Sequence, residues 1–281
     1  MKVVSFSLFG YKNNYFDNYF LQHLIIQLKA YKVLYPNWKI FINLESVAYD
    51  DNNIKQIFDE LKKLDFIDFK LTESNVLCRS MLWRLNPIDF ADYTICRDFD
   101  SLPTYRERQS VEVWIKNGTM AHAINDEPAH IVPLMGGMIG FKKNAFDLKL
   151  IDDNYLNFDF TIKGEDQTFL EKIIYPKVKE SITEHRIRGI SLRQDNPFCY
   201  NYIEDINVDD VQLDDLEKIE NNRTINYIGQ CGWYGFGQFE VENKNIHPYD
   251  NKERYSVLYF YEQFGNKYFN RELNKIKNKY A

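Results

Sequence analysis

The feature that most limits how this 281-residue chain can fold is an alternation of short apolar runs with segments of helical period. Lys2 to Phe9 reads as a strand closed by Gly10. Phe16, Phe20, Leu24 and Leu28 then recur on one face of a helix, with Leu21 and Ile25 beside them, and that helix should stop near Tyr35-Pro36. Trp38 to Asn43 is a second strand, and Ile54, Ile57, Phe58, Leu61 and Leu64 mark a second amphipathic helix. Phe66 to Leu71 is a third strand, Val76 to Leu85 a third helical piece before Pro87, and Ala91 to Cys96 a fourth strand. This alternation specifies an α/β fold with a mainly parallel central sheet flanked by helices. Such sheets bind ligands beyond the carboxyl ends of their strands.

The fourth strand runs into Arg97-Asp98-Phe99-Asp100-Ser101. Residues i and i+2 of a strand face the same side, so Asp98 and Asp100 aim two carboxylates at one point. Two close anions are costly unless something positive lies between them. Hard oxygen donors suit magnesium or manganese carrying a diphosphate. A solvated loop charge is the competing reading of any Asp-x-Asp, and the position beyond a buried strand favours the functional one. Thr104 and Glu107 then stand at capping-box spacing, so a helix is expected to begin there.

Beyond Gly118 the pattern loosens. Met120 to Ile124 and Met135 to Lys142 read as strands, the second containing Gly136-Gly137, which either lets backbone approach a ligand or forms a tight turn. Lys163 to Gln167 starts a helix through Phe169, Leu170 and Ile173 that is expected to end before Pro176; Glu165 and Asp166 suit its N-terminus by charge alone. Residues 203–222 are acidic and read as a solvated excursion. The Gly- and aromatic-rich stretch around Trp233 reads as a sugar platform or a core edge. The basic stretch 251–281 reads as a helical tail, with peripheral contact to an anionic membrane as its minor alternative.

Composition excludes several classes. A net charge of −6 argues against non-specific nucleic-acid binding. The four cysteines, Cys78, Cys96, Cys199 and Cys231, lack the spacing of a zinc site or a disulfide framework. No apolar run reaches the ~18 residues of a membrane span, and no secretory leader is evident. A cytoplasmic protein is expected, in which the Asn117 and Asn222 sequons are accidental.

Several stretches recur in order: Ser7-Leu8-Phe9-Gly10, Tyr35-Pro36-Asn37-Trp38, Trp83-Arg84-Leu85, Arg97-Asp98-Phe99-Asp100-Ser101, Val113-Trp114-Ile115, Asp126-Glu127-Pro128-Ala129-His130, Gly136-Gly137-Met138-Ile139-Gly140, and Glu165-Asp166-Gln167 through His185. Together they resemble a group of bacterial and viral glycosyltransferases of the A-type fold, which use a nucleotide-diphosphate sugar and a divalent metal. The resemblance covers roughly Ser5 to His185. It implies a glycosyltransferase domain over about 1–250, with a nucleotide-binding half to about 102 and an acceptor half from about 103. It also implies a UDP-sugar donor, Mn²⁺ or Mg²⁺ as cofactor, and a hydroxyl acceptor on a glycan or a protein-linked glycan. The chain departs from the pattern at Asn125, Glu127 and Arg186, which bears on sugar or acceptor preference.

On this reading Asp98 and Asp100 hold the metal, with His185 as third ligand and His247 in reserve. Ser7 and Phe9 frame the base. Arg79 and Arg84 reach phosphate or sugar hydroxyls as fork donors, Asp126 binds donor-sugar hydroxyls, and Gly136 and Gly137 line the donor. Asp166 takes the acceptor proton if the reaction inverts configuration, and Glu165 or Asp166 binds sugar hydroxyls if it retains it. The competing classes are a nucleotide-sugar-binding relative without turnover and another two-carboxylate metal enzyme such as a phosphohydrolase. The latter would want further His and Asp ligands near the first strand, and Val3 to Phe9 holds none.

Overall fold

Lys2–Leu8 forms β1, and six of its seven residues are buried, as befits a strand with both sheet faces covered. The computed structural model describes residues 1–11, 24–73, 76–99, 101, 103, 105–125, 132–186, 199–201, 239–241 and 244–246. After β1 come α1 (Leu24–Leu34), β2 (Lys39–Glu45), α2 (Asn52–Leu61) and β3 (Ile67–Thr72). The Asp51 side chain caps α2 by accepting hydrogen bonds from the Asn53 and Ile54 amides. Next are α3 (Leu77–Met81), which tightens into a 3₁₀ stretch over Leu82–Asp89, then β4 (Tyr93–Arg97) and α4 (Tyr105–Asn117). The second part holds β5 (Ala121–Asn125), β6 (Met138–Lys142), α5 (Lys149–Asn154), α6 (Glu165–Phe169), α7 (Tyr175–Val178), β7 (Ile182–Arg186) and β8 (Cys199–Asn201). A separate antiparallel pair joins Phe239–Val241 to Lys244–Ile246.

The main sheet has the order β3-β2-β1-β4-β6-β5-β7-β8. Every neighbouring pair is parallel except those made by β6, which runs antiparallel to β4 and β5. The expected α/β class, a mainly parallel central sheet flanked by helices, is the observed one. All the parallel strands therefore end on one edge.

Two cores cover the two faces. On the first, Phe6 meets Tyr31 and Phe99 edge-on at 5.2 and 4.8 Å, and Trp114 stacks on His122 at 5.4 Å. On the second, Cys96, Ile139, Ala123 and Ile182 pack against Leu82 and Leu85 and against Phe169, Leu170 and Ile174. The first face is roofed by α1 and α4, the second by α3 and the helical run from Glu165.

That run does not stop before Pro176, contrary to the sequence expectation. Leu170–Ile174 widens into a π turn and α7 follows directly, with Pro176 in its first turn. Elsewhere element ends differ from expectation by one to four residues: the strand expected from Met135 begins at Met138, and the helical piece expected to end at Leu85 runs to Asp89. The acidic stretch 203–222, the Trp233 loop and the tail 251–281 lie outside the described residues. Among the described residues no helix is long and apolar enough to cross a membrane.

Candidate active site

Strand register brings one polar row to the carboxyl edge. Ser7 pairs with Asn43, and Ser5 with Cys96, so two residues on Ser7 stands beside Asp98. Arg97 pairs with Met138, which sets Asp98 against Gly137; Ala123 pairs with both Ile139 and Glu184, and Asn125 pairs with Arg186. Because alternate residues share a face, Asn43, Ser7, Asp98, Gly137, Asn125 and Arg186 stand side by side on the second face. α3 and α6 rise over this row.

Asp98 and Asp166 meet on one arginine. Arg84, 6% exposed, is held by its Nε donating to the Met81 carbonyl at 2.7 Å. Its Nη1 donates to the Asp98 carboxylate, and its Nη2 lies 4.0 Å from Asp166 Oδ2. Burial works against the guanidinium's charge, but Asp98 and Asp166 outweigh it, so the Arg84 pKa is raised. The Asp166 carboxyl is itself pushed up by burial, with Asp98 adding to the rise and Arg84 opposing it. Asp98 keeps almost half of its side-chain surface exposed, 48%, whereas Asp166 is enclosed at 3%.

The glycine pair serves this cluster through room, not through unusual backbone angles. A Cβ on Gly137 would fall on the Asp98 carboxylate. One on Gly136 would meet Gln167 Nε2 at 2.9 Å and Arg84 Nη2 at 3.3 Å. The Gly136 amide donates to Gln167 Oε1 at 3.2 Å, and Gln167 Nε2 donates to Asp166 Oδ2 at 3.4 Å. The space that the sequence reading kept for a ligand at these glycines is filled by the site's own side chains.

Other expected residues fall differently. Ser7 Oγ donates to the Met81 carbonyl at 3.5 Å, and the Phe9 ring is packed edge-on against Trp83 at 6.4 Å, buried, so it offers no free face for stacking a base. Arg79 donates to Asp152 at 2.8 Å with its guanidinium 4.2 Å from the Tyr155 ring centre. Glu165 is half-buried in the first turn of α6. Asp100, Asp126 and His247 lie outside the described residues.

His185 requires a correction. It follows Glu184 on β7 and therefore faces the opposite way from Arg186 and Asp98. Its Nδ1 lies 3.0 Å from Nε2 of His122, whose ring stacks on the Trp114 indole, and burial pushes the His185 pKa down to about 3. A side chain on the far face cannot share a metal with Asp98. Among the described residues no group of three His, Cys, Asp or Glu is placed to hold a metal ion.

Two supports escaped the sequence reading. Glu45, at the end of β2, accepts from the Gly10 and Tyr11 amides at 2.8 and 3.0 Å and pins the turn after β1, where Gly10 has φ 81°. Glu107 accepts from Arg97 Nε at 2.7 Å and from the Tyr35 hydroxyl at 3.1 Å, all three buried behind β4. Sequence spacing offered Glu107 only as a cap; its place opposite Arg97 depends on α4 crossing back over the strand.

No family model matches the chain, and no curated protein matches its sequence. Among solved structures it is similar to the S. aureus TarS fragment 1–349 in complex with UDP, at 10% identity and TM-score 0.43 over 65% of this chain and 57% of that one. The same fragment without UDP gives a TM-score of 0.41 at the same identity and coverage. The 4-diphosphocytidyl-2C-methyl-D-erythritol synthase of Anaerococcus prevotii is 12% identical, with TM-score 0.43 over 68% of this chain and 91% of that one. Likenesses of this size carry no argument about activity. The matched part spans little more than half of that TarS fragment.

Proposed function

We propose that the chain is a metal-dependent glycosyltransferase that moves a sugar from a nucleotide-diphosphate sugar, a UDP-sugar as first choice, to a hydroxyl acceptor. The observation that carries this reading is the convergence of Asp98 and Asp166 on Arg84 at the carboxyl edge of a mainly parallel sheet. One carboxylate is open to solvent and the other enclosed, which suits two different roles.

Carboxylate oxygens such as those of Asp98 suit a hard divalent cation by their chemistry. Asp98 is an exposed carboxylate whose position is set by contact with Gly137, a cradle that any Cβ would fill. Asp98 together with Asp100 would hold Mn²⁺ or Mg²⁺, which supplies charge neutralisation for a departing diphosphate. Arg84 orients Asp98 and adds a fixed positive charge beside the same leaving group. The turn held by Glu45 gives the base a rigid backbone floor near Ser7 and Phe9.

Asp166 is the candidate base. Its raised proton affinity favours taking a hydroxyl proton, and Gln167 fixes its orientation by hydrogen bonding to Oδ2. Incubation with a panel of nucleotide sugars and manganese tests the proposal, following both nucleotide release and transfer to added saccharides. Release of inorganic phosphate from simple phosphate esters, with no nucleotide sugar consumed, would instead favour a phosphohydrolase.

A further inference from the structure

At the end of the polar row away from β1, Arg186 is 2% exposed. Glu184, on the same face and fully buried, accepts from Arg186 Nε at 3.0 Å and from Nη2, both on its Oε1. These contacts occupy one edge of the guanidinium. Nη1, with two N–H groups on the remaining side, is shut from solvent and has no hydrogen-bond partner among the described residues. A buried donor left in this state is costly, so the arrangement favours an oxygen ligand. Arg84, on the 3₁₀ stretch above the row, already lies between two carboxylates, Asp98 and Asp166.

We propose that Arg186 Nη1 binds a carboxylate on the acceptor saccharide, making Arg186 a specificity determinant of the transfer; the assignment to an acceptor rests on the glycosyltransferase reading. A planar anion matches the geometry of a guanidinium edge better than a lone hydroxyl does. Position selects the acceptor over the donor. Arg186 on β7 is three strand steps from Asp98 on β4, about 14 Å at the usual spacing, beyond the sugar bonded to a diphosphate at Asp98. Asn125 stands between them with Nδ2 donating to the Val132 carbonyl at 3.0 Å. An anchor so placed would hold an acidic acceptor on the β5–β7 side of Asp166.

The test is calorimetric titration of the full chain, with UDP and manganese present, using methyl glucuronide and methyl glucoside as probes. The parent should bind the glucuronide at least ~10-fold more tightly than the glucoside. The double variant Glu184→Gln/Arg186→Gln, which removes both charges and keeps the shapes, should abolish that preference. Should it fail to fold, Arg186→Lys keeps the ion pair, lacks the second edge, and must lose the preference too. Equal binding of the two probes by the parent, no binding of the glucuronide, or a preference that survives in the folded variant would overturn the proposal. A carboxylate preference seen only between UDP-glucuronate and UDP-glucose overturns the acceptor assignment. If UDP itself does not bind while the glucuronide preference holds, the transferase reading fails and the carboxylate site stands.

Discussion

Two carboxylates, Asp98 and Asp166, divide the chemistry of the proposed site, and substitutions separate their roles. Asp98→Ala should abolish manganese-dependent UDP binding while leaving the fold intact, because the carboxylate is half exposed and no core depends on it. Titration calorimetry with and without manganese checks this, and unchanged affinity would remove Asp98 from the site. Asp166→Asn keeps the shape and loses the base, so donor affinity should survive while transfer falls by ~10²–10⁴-fold. An equal fall in both would assign Asp166 to sugar binding. Asp98 was legible in the sequence because an acidic residue just past an apolar run falls at a strand's carboxyl end. Its partnership with Arg84 was less so, since the contact depends on the 3₁₀ turn that swings Arg84 back over β1 and β4.

Among the elements, those announced by apolar runs, β1 to β4 and α2, were readable to within two or three residues. β7 was not. Ile-Thr-Glu-His-Arg shows no apolar pattern, yet all five residues are buried. Several of its polar side chains pair across elements, Thr183 with Asn117 and Thr119 and His185 with His122, while Glu184 and Arg186 pair along the strand itself, and the cross-element pairings leave no local signal. The same applies to Glu107 behind β4. Glu107→Gln leaves the buried Arg97 charge without its counter-ion, and a loss of about 3–5 kcal/mol is expected, read from urea unfolding. Gly137→Ala forces a Cβ onto the Asp98 carboxylate. Its modest cost of about 1–3 kcal/mol should be accompanied by a loss of manganese-dependent UDP binding.

At the scale of the whole molecule, the buried histidine pair sets a pH dependence. Burial, with His185 and Arg97 adding to it, holds the His122 pKa well below its ordinary value, and burial alone takes His185 to about 3. In the unfolded chain both titrate near 6.5. Between pH 6.5 and 3 the unfolded state therefore binds more protons, and stability falls as pH falls, by up to about 1.4 kcal/mol per pH unit per histidine. Above pH 6.5 the histidine contribution is fully present. Asp166, with its raised pKa, works in the opposite direction and offsets a part of the loss. Urea midpoints for the parent and for His185→Gln between pH 7 and 5 measure the effect, and the variant should show the shallower slope.

The strand order has a kinetic consequence. β4 and β5 do not touch; only β6, arriving antiparallel from later in the chain, joins β3-β2-β1-β4 to β5-β7-β8. Gly137 and Asp98 meet across that same seam. Ligand-binding competence should therefore appear during refolding no sooner than β6 docks, a contact between distant parts of the chain that local helix formation cannot hasten. Amide exchange at Ile139 and Gly140 should then proceed only through the opening that also separates the two blocks of the sheet, at the slow limit set by global unfolding.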